Sequence, residues 1–398
     1  MNSVLTDTDN FEGIRVVDNR VVFTSGQLDL DENGLANNTN DLASQTQGAV
    51  TKLETYLEQA ATSLRDLVKL VVYYVQDDVD EVQFRQHLGG RLGDGVQTPV
   101  TFVPVRQLRV VGALVELEAI AIGGGSCREV VIDGDLAAPG PGFCHGLRCN
   151  EFSFLSGQSA VSPDGSILYP GDLVSQNKKT IENLQYVLQA LKVNDEDIVK
   201  VNSWRAPATD SAAYEKAATD RFRFLAVSSP AVTGITIPRL DAIGYQIRLD
   251  LWAMDPKLPR TKINPTDHWG WKIAASYSHG LQVGPWLFVG GQAALDQNCV
   301  VQHPEDTLTQ IEVTSKFIEN IFRSAQGEYD VIKTNALYCD GGSSELQQQI
   351  VQSLQNQFRD SRPARTFVPV DHLAYPHQAI EIDAIARSMS NPFLVAKA

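Results

Sequence analysis

The stretch RPARTFVPVDHLAYPHQAIEIDAIA, Arg362 to Ala386, reads as two strands joined by a polar turn. TFVPV is β-prone, AYPHQ turns, and AIEIDAIA alternates apolar with acidic residues. Arg365 opens the first strand and Glu381 lies on the next, so the pair can face each other across one sheet surface. As a cross-strand surface ion pair it would be worth at most about 1 kcal/mol. As a pair of site residues it would place a cation and a carboxylate together.

Most of this stretch occurs again. TPVTFVPVRQLRVVGALVELEAIA runs from Thr98 to Ala121, and a fainter copy, SPAVTGITIPRLDAIGYQIRLDLWA, from Ser229 to Ala253. With Thr101, Thr233 and Thr366 as equivalents the copies are offset by 132 and 133 residues. Other landmarks keep the same period. TSGQLDL, LSGQSAV and VGGQAAL place a Gly-Gln pair at Gln27, Gln158 and Gln292. An Asp and a Lys three apart recur at Asp66/Lys69, Asp197/Lys200 and Asp330/Lys333. The chain is a threefold repeat.

Each unit has one element order. A strand ends at Gly-Gln, then a polar turn-rich stretch leads to an amphipathic helix. Its apolar face is carried by Val50, Leu53 and Leu57 in the first unit. Ile181, Leu184, Leu188 and Leu191 carry it in the second, and Phe317, Ile318 and Ile321 in the third. The Asp-x-x-Lys turn opens a β-branched strand such as LVVYYV, with its Lys holding a helix C-terminus or a turn. A second helix follows, as in SELQQQIVQSLQNQF, and two strands close the unit. The expected class is α+β, with helices on one face of each sheet. At 398 residues the chain divides into units 1–124, 140–256 and 268–398. GGGSCREVVIDGDLAAPGPG and DPKLPRTKINPTDHWG are the linkers, and the first retains a VVI segment fit for a short strand.

A net charge of −15 and no Lys/Arg run argue against nucleic-acid partners, whose phosphates require clustered cations. The N-terminal segment MNSVLTDTDNFEG lacks the basic and apolar regions of a signal peptide, and no stretch approaches the ~20 apolar residues of a membrane span. Five scattered cysteines, at 127, 144, 149, 299 and 339, fit a reduced, cytoplasmic protein. CHGLRC offers Cys144, His145 and Cys149 but no fourth ligand nearby, so a loop with buried thiols is the simpler reading. There is no phosphate- or dinucleotide-binding fingerprint, and neither a metal nor a cofactor is expected.

The order Gly-Gln, helix, Asp-x-x-Lys strand, helix, PARTFVPV and EIDAIA resembles the RidA/YjgF family of reactive-imine deaminases, three times over nearly the whole chain. The resemblance implies three tandem RidA/YjgF-like (chorismate-mutase-like) domains. They would form an intramolecular pseudo-trimer around a central β-barrel, helices outside, with a cleft at each interface. The match is strongest in the third unit and weakest in the second. It further implies that Arg365, in PART, holds a substrate carboxylate, and that Glu381 serves the hydrolytic water. Val100 stands at the Arg position of unit one, where Glu116 is kept; unit two has Val232 and Arg248 at the Arg and Glu positions. One cleft of the three is therefore expected to carry the pair. Tyr277 and the amides at Gly290 and Gly291 are implied substrate contacts. His279 joins them as a candidate, with the alternative that it caps backbone groups.

The residue types suit imine hydrolysis. Arg presents a planar fork matched to a carboxylate. A carboxylate beside a positioned water can take a proton and return it to the departing nitrogen. Three readings stand: a metal-independent deaminase of a small carboxylate-bearing imine or enamine, a non-catalytic ligand-binding or scaffold protein, and a chorismatase-like or cyclic-amide hydrolase. Ribonuclease activity, sometimes attributed to the family, is disfavoured by the charge. The expected partner is a small carboxylate alone, with the pseudo-trimer as a monomer or as a dimer of pseudo-trimers.

Overall fold

The computed structural model describes residues 13–75, 79–124, 128–207, 210–240, 244–270, 276–325 and 327–389. The first repeat contains β1 (Ile14–Val17), β2 (Val21–Thr24), α1 (Leu42–Gln59), β3 (Leu67–Val75), α2 (Glu81–Leu92), β4 (Thr98–Val105) and β5 (Val115–Ile122). The first linker supplies β6 (Arg128–Val131), where the VVI segment suggested a strand, and leads to β7 (Phe143–Cys144). The second repeat continues with β8 (Gly146–Cys149), β9 (Phe152–Leu155), α3 (Leu173–Ala190), β10 (Ile198–Arg205), α4 (Ser211–Leu225), β11 (Ala231–Thr236) and β12 (Ile247–Met254). The second linker supplies β13 (Arg260–Ile263), a strand its composition did not announce. The third repeat adds β14 (Gly280–Val283), β15 (Trp286–Gln292), α5 (Thr307–Ser324), β16 (Tyr329–Tyr338), α6 (Ser344–Asn356), β17 (Ala364–Pro369) and β18 (Ile380–Ser388).

The strands form three six-stranded sheets, ordered β1-β2-β5-β3-β4-β7, β6-β8-β9-β12-β10-β11 and β13-β14-β15-β18-β16-β17. Among the described residues these are three separate sheets and not one hydrogen-bonded closed barrel. In each repeat the Lys-bearing strand is central. It runs parallel to the PARTFVPV-type strand on one side and antiparallel to the EIDAIA-type strand on the other.

The two faces of each sheet have different duties. The helix side packs a separate core per repeat, with Leu53, Leu57 and Phe102 in the first, Leu184, Leu188 and Leu251 in the second, and Ile318, Ile321 and Ile382 in the third. The inner faces share one core that joins Phe23, Phe152, Phe154, Trp252, Trp286 and Phe288. Pooling three inner faces removes from water a surface that no single repeat could bury. Each first helix begins at an Asp, Asp41, Asp172 or Asp306, whose carboxylate accepts from the amide three residues on. These N-caps recur with the repeat and fix where each helix starts.

The three lysines lie on these inner faces. Lys69 meets Asp250 at 3.1 Å, Lys200 meets Asp383 at 2.9 Å and Lys333 meets Glu118 at 3.3 Å, so each repeat's lysine pairs with the next repeat's acid around a ring. Each also donates to the repeat's own Thr, namely Thr101, Thr233 or Thr366. The expectation of a lysine holding a helix end or turn is thus corrected. The capping falls to the Asp of the motif in two repeats, where Asp66 and Asp197 accept from the backbone of Ser63 and Asn194. Buried charges require partners, and the partners here span interfaces, so the ring fixes how the repeats dock.

Candidate active site

Each cleft is built by two consecutive repeats. In the first, the Gly157 amide of repeat two donates to the Val100 carbonyl of repeat one at 3.0 Å. In the third, the Gly26 amide of repeat one donates to the Arg365 carbonyl at 3.0 Å, and the Arg365 amide donates to Ser25 Oγ. In the second, repeat two's β11 lies against repeat three, where Ala231 bridges Ser278. The Gly of each Gly-Gln is needed for space: a Cβ at Gly26 or Gly291 would overlap the carboxylate of Glu116 or Glu381. The residue at the family's Glu position therefore lies over its own repeat's glycine, facing the neighbour's Arg-position strand.

This arrangement separates the expected pair. Arg365 registers with Thr334 on one edge of β16, and Glu381 with Leu337 on the other edge. They are not on adjacent strands, and the two clefts they enter are different. Arg365 faces repeat one, where it shares the neighbourhood of Gly26 with Glu116. Its guanidinium donates to the Gln357 carbonyl at 2.8 Å and reaches the Pro363 carbonyl at 3.5 Å. Glu381 faces repeat two, opposite Val232 and Gly234.

The cleft between repeats one and two holds a cavity of about 480 Å³. Arg248, at the Glu position, forms a two-pronged pair with Glu81 of α2, at 3.0 and 2.9 Å. Glu81 also accepts from Tyr74 Oη and from Arg85. Burial opposes its charge, but Arg248 and Arg85 outweigh it and hold the carboxyl below its ordinary range. Arg248, Arg85 and Glu81 are thus spent on one another, while Asp164 of the lining accepts from Ser162 and Ser166. His145 caps its rim, with Nε2 2.9 Å from the Ala137 carbonyl. Cys144 and Cys149 sit in the shared core, not in a loop, and Cys127 lies outside the described residues.

The cleft between repeats two and three is a cavity of about 140 Å³. Ser203, Arg205, Tyr214, Arg221 and Phe222 line it from repeat two; Trp269, Tyr277, Gly291, Tyr375, Gln378 and Glu381 line it from repeat three. Burial pushes the Glu381 carboxyl up to about 7, against the Gln378 side chain, the Arg205 charge and the Gly234 amide, which favour its ionised form. Gln378 Nε2 donates to Glu381 Oε2 at 3.3 Å. A carboxyl poised near neutrality beside a small cavity can exchange protons with a ligand and water. Tyr277 packs edge-on to Phe222 at 4.8 Å between centroids and is hydrogen-bonded to Arg221.

His279 stands behind the wall. Its Nε2 lies 2.9 Å from the Trp269 carbonyl, and burial beside His268 lowers its pKa to about 3. It stays neutral and positions Trp269, which fits the backbone-capping alternative. Gly290 packs against the Val232 backbone and Gly291 under Glu381. Sequence reasoning missed Arg205, Arg221, Gln378 and Trp269. The first two lie in the weakest-matching repeat, and Trp269 lies at the very start of the third unit, where the linker stretch DPKLPRTKINPTDHWG runs into it. Gln378 had a signal in the turn AYPHQ that precedes Glu381.

The family model described as endoribonuclease L-PSP matches residues 8–123, 136–254 and 271–388. A RutC family protein of Pyrococcus abyssi is 25% identical over 113 residues, covering 28% of this chain and 87% of the relative. Protein HMF1 of Saccharomyces cerevisiae is 33% identical over 64 residues, 16% of this chain and 49% of the relative. Among solved structures, a chorismatase is similar over 81% of this chain and 93% of its own, at 15% identity and TM-score 0.49. The YjgF gene product of E. coli covers 32% of this chain and 98% of its own, at 22% identity and TM-score 0.28. Matched three times along its length, the chain belongs to the endoribonuclease L-PSP family and carries three copies of the family domain in one polypeptide.

Proposed function

We propose that the chain is a metal-independent hydrolase of a small imine or enamine bearing a carboxylate, acting at the cleft between repeats two and three. The observation that carries this reading is Glu381: a buried carboxyl with a pKa near 7, over Gly291 and against a 140 Å³ cavity. Ionised Glu381 takes a proton from water as the oxygen attacks the C=N carbon. The carboxylic acid so formed returns that proton to the nitrogen, giving a carbinolamine. Glu381 then passes the carbinolamine's hydroxyl proton to the same nitrogen as the C–N bond breaks, so that ammonia leaves and the carbonyl product forms. The small cavity, well below the 300–1,000 Å³ of drug-sized ligand sites, suits a compact substrate.

A second placement of the same chemistry has its own support. At the cleft between repeats three and one, Arg365 and Glu116 hold both family positions around Gly26. Ammonia release from freshly generated 2-imino acids tests both. Loss of activity in Glu381→Gln with retention in Glu116→Gln supports the first placement, and the reverse result moves catalysis to the second. No ammonia release from any imino acid or enamine would remove the hydrolase reading.

A further inference from the structure

We infer that Arg205, on the last residue of β10, is the carboxylate-binding residue of the cleft between repeats two and three. There the family's arginine position is occupied by Val232. The inference rests on the reading that this cleft binds the substrate, and it names the group that holds the substrate's charge.

Arg205 follows the motif lysine by five residues, where the other repeats carry Tyr74 and Tyr338. Both tyrosines are engaged within their own repeats, Tyr74 with Glu81 and Tyr338 with Gln347. Arg205 instead lines the cavity on the same face of β10 as Ser203, whose register partner Gly234 offers its amide to Glu381. Its guanidinium stacks over the Tyr214 ring at 4.5 Å. Stacking fixes the plane of the fork and leaves its N–H edge available for planar recognition. It is 9% exposed, its Nε is buried without a hydrogen-bond partner, and no carboxylate is salt-bridged to it among the described residues. The other arginine of the wall is already committed: Arg221 donates to Asn177 Oδ1 at 2.8 Å and to Tyr277. Among the described residues the cleft thus presents Arg205 as an arginine in no salt bridge, its charge felt by the proton-exchanging Glu381 carboxyl on the facing repeat. A monocarboxylate with its reactive carbon a few bonds from the acid group satisfies both.

Calorimetry with pyruvate and its uncharged isostere pyruvamide tests the assignment. Wild type should prefer pyruvate. Arg205→Met, which keeps the apolar stem on Tyr214, should weaken pyruvate at least about tenfold and leave pyruvamide unchanged. Arg205→Lys, a milder change should the methionine variant fold poorly, should recover only part of the loss. Equal binding of the two probes, binding of neither, or loss on Arg365→Met with retention on Arg205→Met overturns the inference. The ammonia assay separates the two ideas: pyruvate binding that depends on Arg205, with no ammonia release from wild type, leaves the anchor standing and removes the hydrolase.

Discussion

Arg365 and Glu381 lie on opposite edges of β16, the one registered with Thr334 and the other with Leu337, and each faces a different neighbouring repeat. Two strand spacings and three residues of rise part them by roughly 14 Å. Sites so separated act independently. Arg365→Ala should therefore leave ammonia release within about threefold of wild type. A loss of a hundredfold in steady-state kcat/KM would place the chemistry between repeats three and one.

Glu381→Gln should lower kcat by about 10²–10⁴, the usual contribution of a positioned acid–base group. In wild type the rate should rise with pH through about 7, because the base is the ionised form. Arg205, Gln378, Gly234 and Asp383 are the groups that bias it. Stability runs the other way. A folded pKa raised from 4.5 to about 7 contributes stability that is present below about 4.5 and is lost as pH rises to 7, on the order of 3 kcal/mol at most. The glutamine variant should lack that decline in a denaturant-midpoint series from pH 4 to 8.

Gly291→Ala should damage activity more than folding. The added methyl would overlap the Glu381 carboxylate and force it aside. A displacement of about 1 Å costs on the order of a hundredfold in rate. Near-wild-type turnover in this variant would mean that Glu381 does not work from above Gly291.

Lys200→Met strands Asp383 in the shared core and should cost about 3–5 kcal/mol. Adding Asp383→Leu should restore most of it, since two apolar groups need no partner. Chemical denaturation of the four forms measures the coupling. Additive losses would show that the ring does not register the repeats.

Because the three repeats complete one another's interfaces, the chain should sediment as one 43.6 kDa particle or as a dimer of it. A mass near three chains would show that the repeats pair between molecules instead.

The sequence alone determined what local spacing can encode: the threefold repeat, the element order, the apolar helix faces and the family. Periods of 2 and 3.6 residues report which side of a strand or helix is buried, and Leu53, Leu184 and Ile318 were legible on that basis. It also exposed Gly291, Tyr277 and Glu381 as companions, since all three belong to one repeat and meet in one cavity. The tertiary structure decided which cation serves which acid. Only when β16 inserts between β17 and β18 do Arg365 and Glu381 part. Only when repeat two docks on repeat three does Arg205, 176 residues earlier, come to share a cavity with Glu381. Contacts of that separation leave no periodic trace in the chain, because they are set by the packing of three sheets on one core and by the buried lysine–carboxylate ring that locks their order.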